Sequence, residues 1–134
     1  MKERQPKVVI GIVEKEGKVL MVRRAIKEDD LLWSFPGGKM DPEDNSEQNA
    51  VVREVREETN VECLPVSNLG SRVHPNTERE ISYWRCKYLS GEPEVQNSEE
   101  ITETLWVSSS KVFELVTTDI FSPIRSMLEE LSPQ

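Results

Sequence analysis

GGKMDPEDNSEQNAVVREVREETNV, residues 37–61, crowds Glu54, Glu57 and Glu58 into five positions of a helix-compatible run. Every residue from 47 to 59 tolerates a helix. Asn45 or Ser46 can cap it, with Gln48 three residues beyond Asn45 in capping-box spacing. Asn60 stands where a helix often ends in the left-handed conformation, which asparagine tolerates next best to glycine. At about 100° per residue, with Ala50 at 0°, Glu57 falls near 340°, Glu54 near 40°, Glu47 near 60° and Glu58 near 80°. Val51, Val55 and Val52 then lie at about 100°, 140° and 200°, and Arg56 and Arg53 at about 240° and 300°. Four carboxylates thus share a stripe beside the apolar stripe, not opposite it where solvated charge normally goes. Like charges at i,i+4 are mildly destabilising, so the row asks for a positive partner.

Clustered carboxylate oxygens select hard cations, Mg²⁺ above all where substrate phosphates complete the shell. The residues alone leave a second reading open: a solvated acidic helix with Arg53–Glu57 as an i,i+4 ion pair. Gly37 and Gly38 precede the helix and are expected to let the backbone turn sharply and approach a ligand closely.

Around this segment the 134 residues carry 36% hydrophobic and 31% charged side chains, enough for one domain, 1–134, with its own core. A formal net charge of −8 argues against binding a nucleic-acid polymer, though not against a small phosphorylated substrate. Cys63 and Cys86 fit neither a metal motif nor a disulfide framework and read as reduced thiols. The apolar run VVIGIV is broken at Glu14, too short for a signal peptide or a membrane span, so no membrane association and a cytoplasmic location are expected.

Residues 7–14 and 18–24 read as a hairpin joined by the turn-prone EKEGK, and 31–35 as a short strand ending at Pro36-Gly37-Gly38. Residues 41–46 are polar and contain a proline, which suggests a loop. Strand composition returns at 62–73, 81–89 and 103–107. Ser108–Ser110 can cap a helix through Val116, and 123–131 suggests a terminal helix with Ile124, Met127, Leu128 and Leu131 on one side. The pattern predicts one α+β domain.

Gly38, Asp44 and Arg53-Glu54-Val55-Arg56-Glu57-Glu58-Thr59-Asn60-Val61 together resemble the Nudix box, G-x5-E-x7-R-E-U-x-E-E-x-G-U with U aliphatic. The stretch Phe35-Pro36-Gly37-Gly38-Lys39 and the acidic segment 99–107, ending in Trp106-Val107, are similar to those of small MutT-like members. Three positions depart from the pattern. Asp44 replaces the first glutamate, eight residues rather than seven separate it from Arg53, and Asn60 replaces the last glycine. Asp44, Glu43 and Glu47 therefore compete for the first acidic role.

The resemblance implies a Nudix-type α/β/α sandwich with a mixed sheet, a central box helix and a C-terminal helix. It implies hydrolysis of a nucleoside diphosphate linked to another group, by water attack on phosphorus, with Mg²⁺ as cofactor and Mn²⁺ as a substitute. Carried over by position, Glu57 is the chief metal ligand, completed by Glu54, Glu58 and the Gly38 carbonyl. Glu54 also orients or deprotonates the water, and Arg53 orients the glutamates. Glu100, with Glu99 and Glu103 as neighbours, is the further metal-binding or base candidate, its alternative being exposed charge on a loop. Arg24 is a candidate phosphate or base contact, Phe35 a base-stacking residue or a core residue beneath the central helix, and Lys39 a further substrate contact. Trp33, Tyr83 and Trp84 are candidates for the pocket wall, although strand alternation keeps Tyr83 and Trp84 on opposite faces. His74 has no evident partner.

For substrate, the resemblance favours a nucleoside triphosphate, including oxidised or non-canonical ones, cleaved to monophosphate and pyrophosphate. MutT-like enzymes that read oxidised guanine place an asparagine near the last helix, and Asp119-Ile120-Phe121-Ser122 offers none. ADP-ribose or another nucleoside diphosphate sugar is the alternative, hinted at by Pro75. A non-catalytic nucleotide-sensing module is a second, opposed by the intact glutamates. Many relatives pair, so a homodimer is among the arrangements the resemblance allows.

Overall fold

Strands β1 (Val8–Lys15) and β2 (Lys18–Ala25) meet at Glu16-Gly17, both at positive φ (51° and 80°), which a two-residue hairpin turn requires. The computed structural model describes residues 6–25, 31–73, 78–96, 101–116 and 120–131. The hairpin register is held only next to the turn, at Lys15↔Lys18 and Glu14↔Val19. Beyond it the two strands part and take other neighbours. β2 is flanked by β3 (Leu31–Ser34) and β7 (Ile101–Ser108). β1 pairs antiparallel with β4 (Gly37–Lys39) and parallel with β6 (Glu80–Ser90), whose outer neighbour is β5 (Glu62–Val73). Among the described residues this makes a mixed, seven-stranded sheet with the path β3-β2-β1-β6-β5.

Both faces of the sheet are covered, which is why β1 reads as a continuous apolar run rather than an alternating one. Val9 and Val13 face helix α1 (Glu47–Thr59), with Ala50, Val51 and Val55 above them. Gly11 lies under that helix, where a Cβ would sit 2.9 Å from Val55 Cγ2. Ile12 faces the other way, toward α3 (Ser122–Leu131), in a cluster that includes Val112 of α2 (Ser109–Leu115). Each fully buried valine or isoleucine contributes about 1.5–3 kcal/mol over its exposed state. The fold is the expected α+β arrangement, with helix on both sides of a mixed sheet.

α1 begins and ends much as its sequence predicts. Ser46 Oγ accepts from Asn49 N at 3.1 Å, and Asn60 (φ 68°) donates its N–H to Arg56 O at 2.9 Å. Such a cap contributes about 1 kcal/mol. Gln48 takes no part in the cap, because Ser46 rather than Asn45 starts the helix. Asn45, at φ 64°, instead ends a 3-10 turn, Pro42–Asp44, inside the stretch read as a loop. That turn has its own reciprocal cap between Asp41 and Asp44.

β4 is the element the sequence hides: Gly-Gly-Lys has no strand propensity. Gly37 and Gly38 make no sharp turn, since neither has positive φ. Their role is close approach: a Cβ on Gly37 would strike the Val9 carbonyl oxygen, and one on Gly38 the Glu54 carboxylate. In α3, Ile124, Met127 and Leu128 are buried as their spacing predicts. Cys63 and Cys86 are free and buried, and the neighbouring Cys63 thiol together with burial pushes the Cys86 thiol up. Among the described residues, no helix is long and apolar enough to cross a membrane.

Candidate active site

The face of α1 beside β4 is organised by Arg53. Its Nε and Nη2 each donate at 2.8 Å to the two oxygens of Asp44, a bidentate pair. Nη1 donates to Glu54 Oε1 at 2.9 Å and to Glu57 Oε2 at 3.1 Å, and Nη2 reaches the Lys39 carbonyl at 3.2 Å. One guanidinium therefore joins the 3-10 turn, β4 and two box glutamates. A planar fork with five donors can do this where a lysine could not. The i,i+4 ion pair Arg53–Glu57 is present as well, through the same guanidinium.

Of Asp44, Glu43 and Glu47, Asp44 is the one that meets Arg53. Asp44 is buried, and the Arg53 hydrogen bonds, aided by the Asp41 N–H, hold its carboxyl below the usual range. Glu43 is exposed. Glu47 faces elsewhere, accepting from Lys7 Nζ at 2.8 Å and Trp84 Nε1 at 3.0 Å. Glu47 shares the helical angle of the other glutamates but not their position along the axis. Seven residues separate it from Glu54, about 10 Å at 1.5 Å per residue.

The three box glutamates sit in unlike surroundings. Glu57 is the open one, its side chain 56% exposed, whereas those of Glu54 and Glu58 are 14% and 10% exposed. Glu58 Oε1 accepts from Arg24 Nη2 at 2.8 Å and from the Gly37 N–H at 2.9 Å. The Glu54 carboxylate lies against Gly38, in space a side chain there would fill. Burial raises the Glu54 pKa; Arg53 opposes this, and the charges of Glu58 and Glu57 add to the rise.

These observations bear on a metal ion. As the side chains stand, no three Asp, Glu, His or Cys residues among those described are arranged to hold one. Glu54 and Glu58 are turned to Arg53 and Arg24 instead. The donor set nevertheless fits a hard cation: three carboxylates with the Gly38 backbone beside them, and a largely buried Glu54 crowded by like charge. Arg53 bonds only Oε1 of Glu54 and Oε2 of Glu57, so the second oxygen of each carboxylate could meet an ion with those hydrogen bonds intact.

The remaining expected site residues scatter. Lys39 is exposed at the end of β4. Phe35 and Tyr83, 8% and 6% exposed, belong to the apolar cluster on the α2–α3 face, so Phe35 is a core residue, but beneath α2 and α3 rather than the central helix. Tyr83 OH accepts from Arg72 Nε at 3.2 Å, and its ring stacks 4.9 Å from Phe121. Trp84 is on the opposite face, as strand alternation required. Glu103 faces Arg23 across the sheet at 3.9 Å. Glu99, Glu100, His74, Pro75 and Asp119 lie outside the described residues.

Residues 3–131 match the NUDIX domain, so the chain belongs to the Nudix family. Nudix hydrolases generally act on small-molecule nucleotides with divalent metal ions. The chain is 46% identical over 76 residues to a CTP pyrophosphohydrolase of Escherichia coli, covering 56% of this chain and 52% of that protein. It is 27% identical over 101 residues to a putative 8-oxo-dGTP diphosphatase of Bacillus subtilis, covering 75% and 64%. The matches thus span about half to two thirds of these relatives. The fold is shared with a Nudix hydrolase of Nitrosomonas europaea at a TM-score of 0.81 and 22% identity, covering 97% of this chain and 73% of the other.

Proposed function

We propose that this protein is a divalent-metal-dependent pyrophosphohydrolase that cleaves a nucleoside triphosphate, canonical base or oxidised, to the monophosphate and pyrophosphate. The observation that carries the proposal is the Arg53 hub, which aims Glu54 and Glu57 from one guanidinium while Asp44 anchors it. Both relatives described above are named for nucleoside triphosphates, which favours that class over nucleoside diphosphate sugars.

In this reading Glu57, Glu54, Glu58 and the Gly38 carbonyl hold the ion, and Glu100 joins them. The bound ion, Mg²⁺ with Mn²⁺ as a substitute, supplies positive charge to the phosphate oxygens and makes a nearby water more acidic. Glu54 would take the proton from the attacking water. Arg53 keeps Glu54 from rotating away, a task of orientation rather than contact with substrate. Lys39, exposed beside the cluster, meets the phosphate chain. Phe35 and Tyr83 belong to the core on the α2–α3 face rather than to a stacking wall. Buried free thiols suit a reducing compartment, and we place the protein in the cytoplasm.

The test is incubation with Mg²⁺ and a panel of CTP, the other triphosphates, 8-oxo-dGTP and ADP-ribose, with products resolved as pyrophosphate or monophosphates. Pyrophosphate release from at least one triphosphate is expected. Turnover of ADP-ribose alone would move the assignment to diphosphate sugars, and no turnover of any nucleotide would sink the enzymatic reading.

A further inference from the structure

Arg24 points from β2 toward α1, and its guanidinium is engaged by three elements at once. Nε donates to Ser34 Oγ on β3 at 3.2 Å, and Nη2 donates to Glu58 Oε1 on α1 at 2.8 Å and to the Gly37 carbonyl on β4 at 3.3 Å. The Gly37 N–H donates to the same Glu58 oxygen. Glu58 is thereby clamped to the first residue of β4, one position before Gly38. A carboxylate withdrawn this far from water needs charged donors to remain there as an anion.

We propose that Arg24 is a positioning residue of the metal site: it holds the Glu58 carboxylate in one orientation against β4 and is not primarily a grip on substrate phosphate. The proposal rests on the reading of Glu58 as a metal ligand. The guanidinium fork is what permits it, because three acceptors on three elements lie around one plane. An ammonium is a point charge and could satisfy Glu58 but not also span Ser34 and Gly37. The same clamp sets the distance between α1 and β4, on which the approach of Glu54 to Gly38 depends.

Mn²⁺ binding to the nucleotide-free protein tests this directly, followed by the Mn²⁺ spin-resonance signal and supported by kcat and KM at saturating Mg²⁺. Arg24→Met is expected to weaken Mn²⁺ binding about tenfold, as for other residues that orient metal ligands, with nucleotide KM changed less than twofold. Arg24→Lys, which keeps the charge and the aliphatic stem, is expected to weaken it as well. Adding Arg24→Met to Glu58→Gln should weaken Mn²⁺ binding no further than Glu58→Gln alone. Parental Mn²⁺ binding in a folded Arg24→Met or Arg24→Lys protein would overturn the proposal, above all if KM rose tenfold, the mark of a phosphate contact. If the parental protein itself bound no Mn²⁺, the metal-site reading would fall and the proposal with it, an outcome distinct from normal binding by both proteins.

Discussion

Glu47 and Glu54 lie on the same helix and nearly the same stripe, yet their carboxyl groups are driven in opposite directions. Burial pushes Glu47 up, but hydrogen bonds from Lys7, Trp84 and Ser82 outweigh it and leave its pKa below the ordinary value. Burial pushes Glu54 up too, and there Arg53 does not compensate, because Glu58 and Glu57 add negative charge. At the first end of α1, positive and neutral donors outnumber carboxylates, and the cluster ties β1 and β6 to the helix. At the other end carboxylates outnumber cations. Residue type and helical angle therefore do not set an acid's surroundings; the local balance of charge does.

The sharpest way to break this comparison is to neutralise the acids at the second end of the helix. Glu54→Gln should lower kcat about 10²–10⁴-fold, the range for a lost general base, while the unfolding midpoint stays within a degree or two. Glu57→Gln should likewise lower turnover by orders of magnitude, since its exposed side chain supports little of the fold. Near-parental activity in Glu57→Gln would refute its place at the metal.

A second measurement concerns the anchor of the hub. Asp44→Asn removes the charge that pairs bidentately with Arg53 and should destabilise the protein by about 3 kcal/mol, the scale for breaking a buried ion pair. The folded pKa of Asp44 lies below its unfolded value. Its contribution is therefore fully present above the ordinary aspartate value of about 3.9 and lost as pH falls through the lower, folded one. Urea unfolding of both proteins from neutral pH downward should show the gap closing only in the acid range. A gap that stayed constant with pH would mean that the Asn fails for steric rather than electrostatic reasons.

The smallest effect belongs to the first end of the helix. Glu47→Gln should cost about 1 kcal/mol, because the Lys7 pair is partly solvated, and should leave kcat within about twofold. A large loss of activity there would erase the division of α1 into two ends.

The sequence was informative where structure follows from short-range chemistry. α1 was legible to within its caps, since Ser46, Asn60 and the valine spacing act over a turn or less. The α3 stripe and the placement of Tyr83 and Trp84 on opposite faces followed from periodicity. Other features resisted. β4 is invisible because its strand character comes from pairing with Val8, Val9 and Ile10 rather than from Gly-Gly-Lys itself. Arg24 follows Leu20 by four residues on β2 and so shares its face, but nothing in the chain says that this face meets Glu58.

Taken alone, the order of residues determined a carboxylate-rich helix of known length, the alternation of its flanking strands, and a family resemblance that the domain match bears out. Those properties depend on neighbours within a few positions, and helix and strand geometry transmit them directly. Only the folded chain decided which acid meets which cation: Asp44 with Arg53, Glu58 with Arg24, Glu47 with Lys7. These partners are 9, 34 and 40 residues apart. Coulombic pairing acts through space, so the register of β1 against β4 and the seating of α1 on the sheet had to exist before those partners were defined.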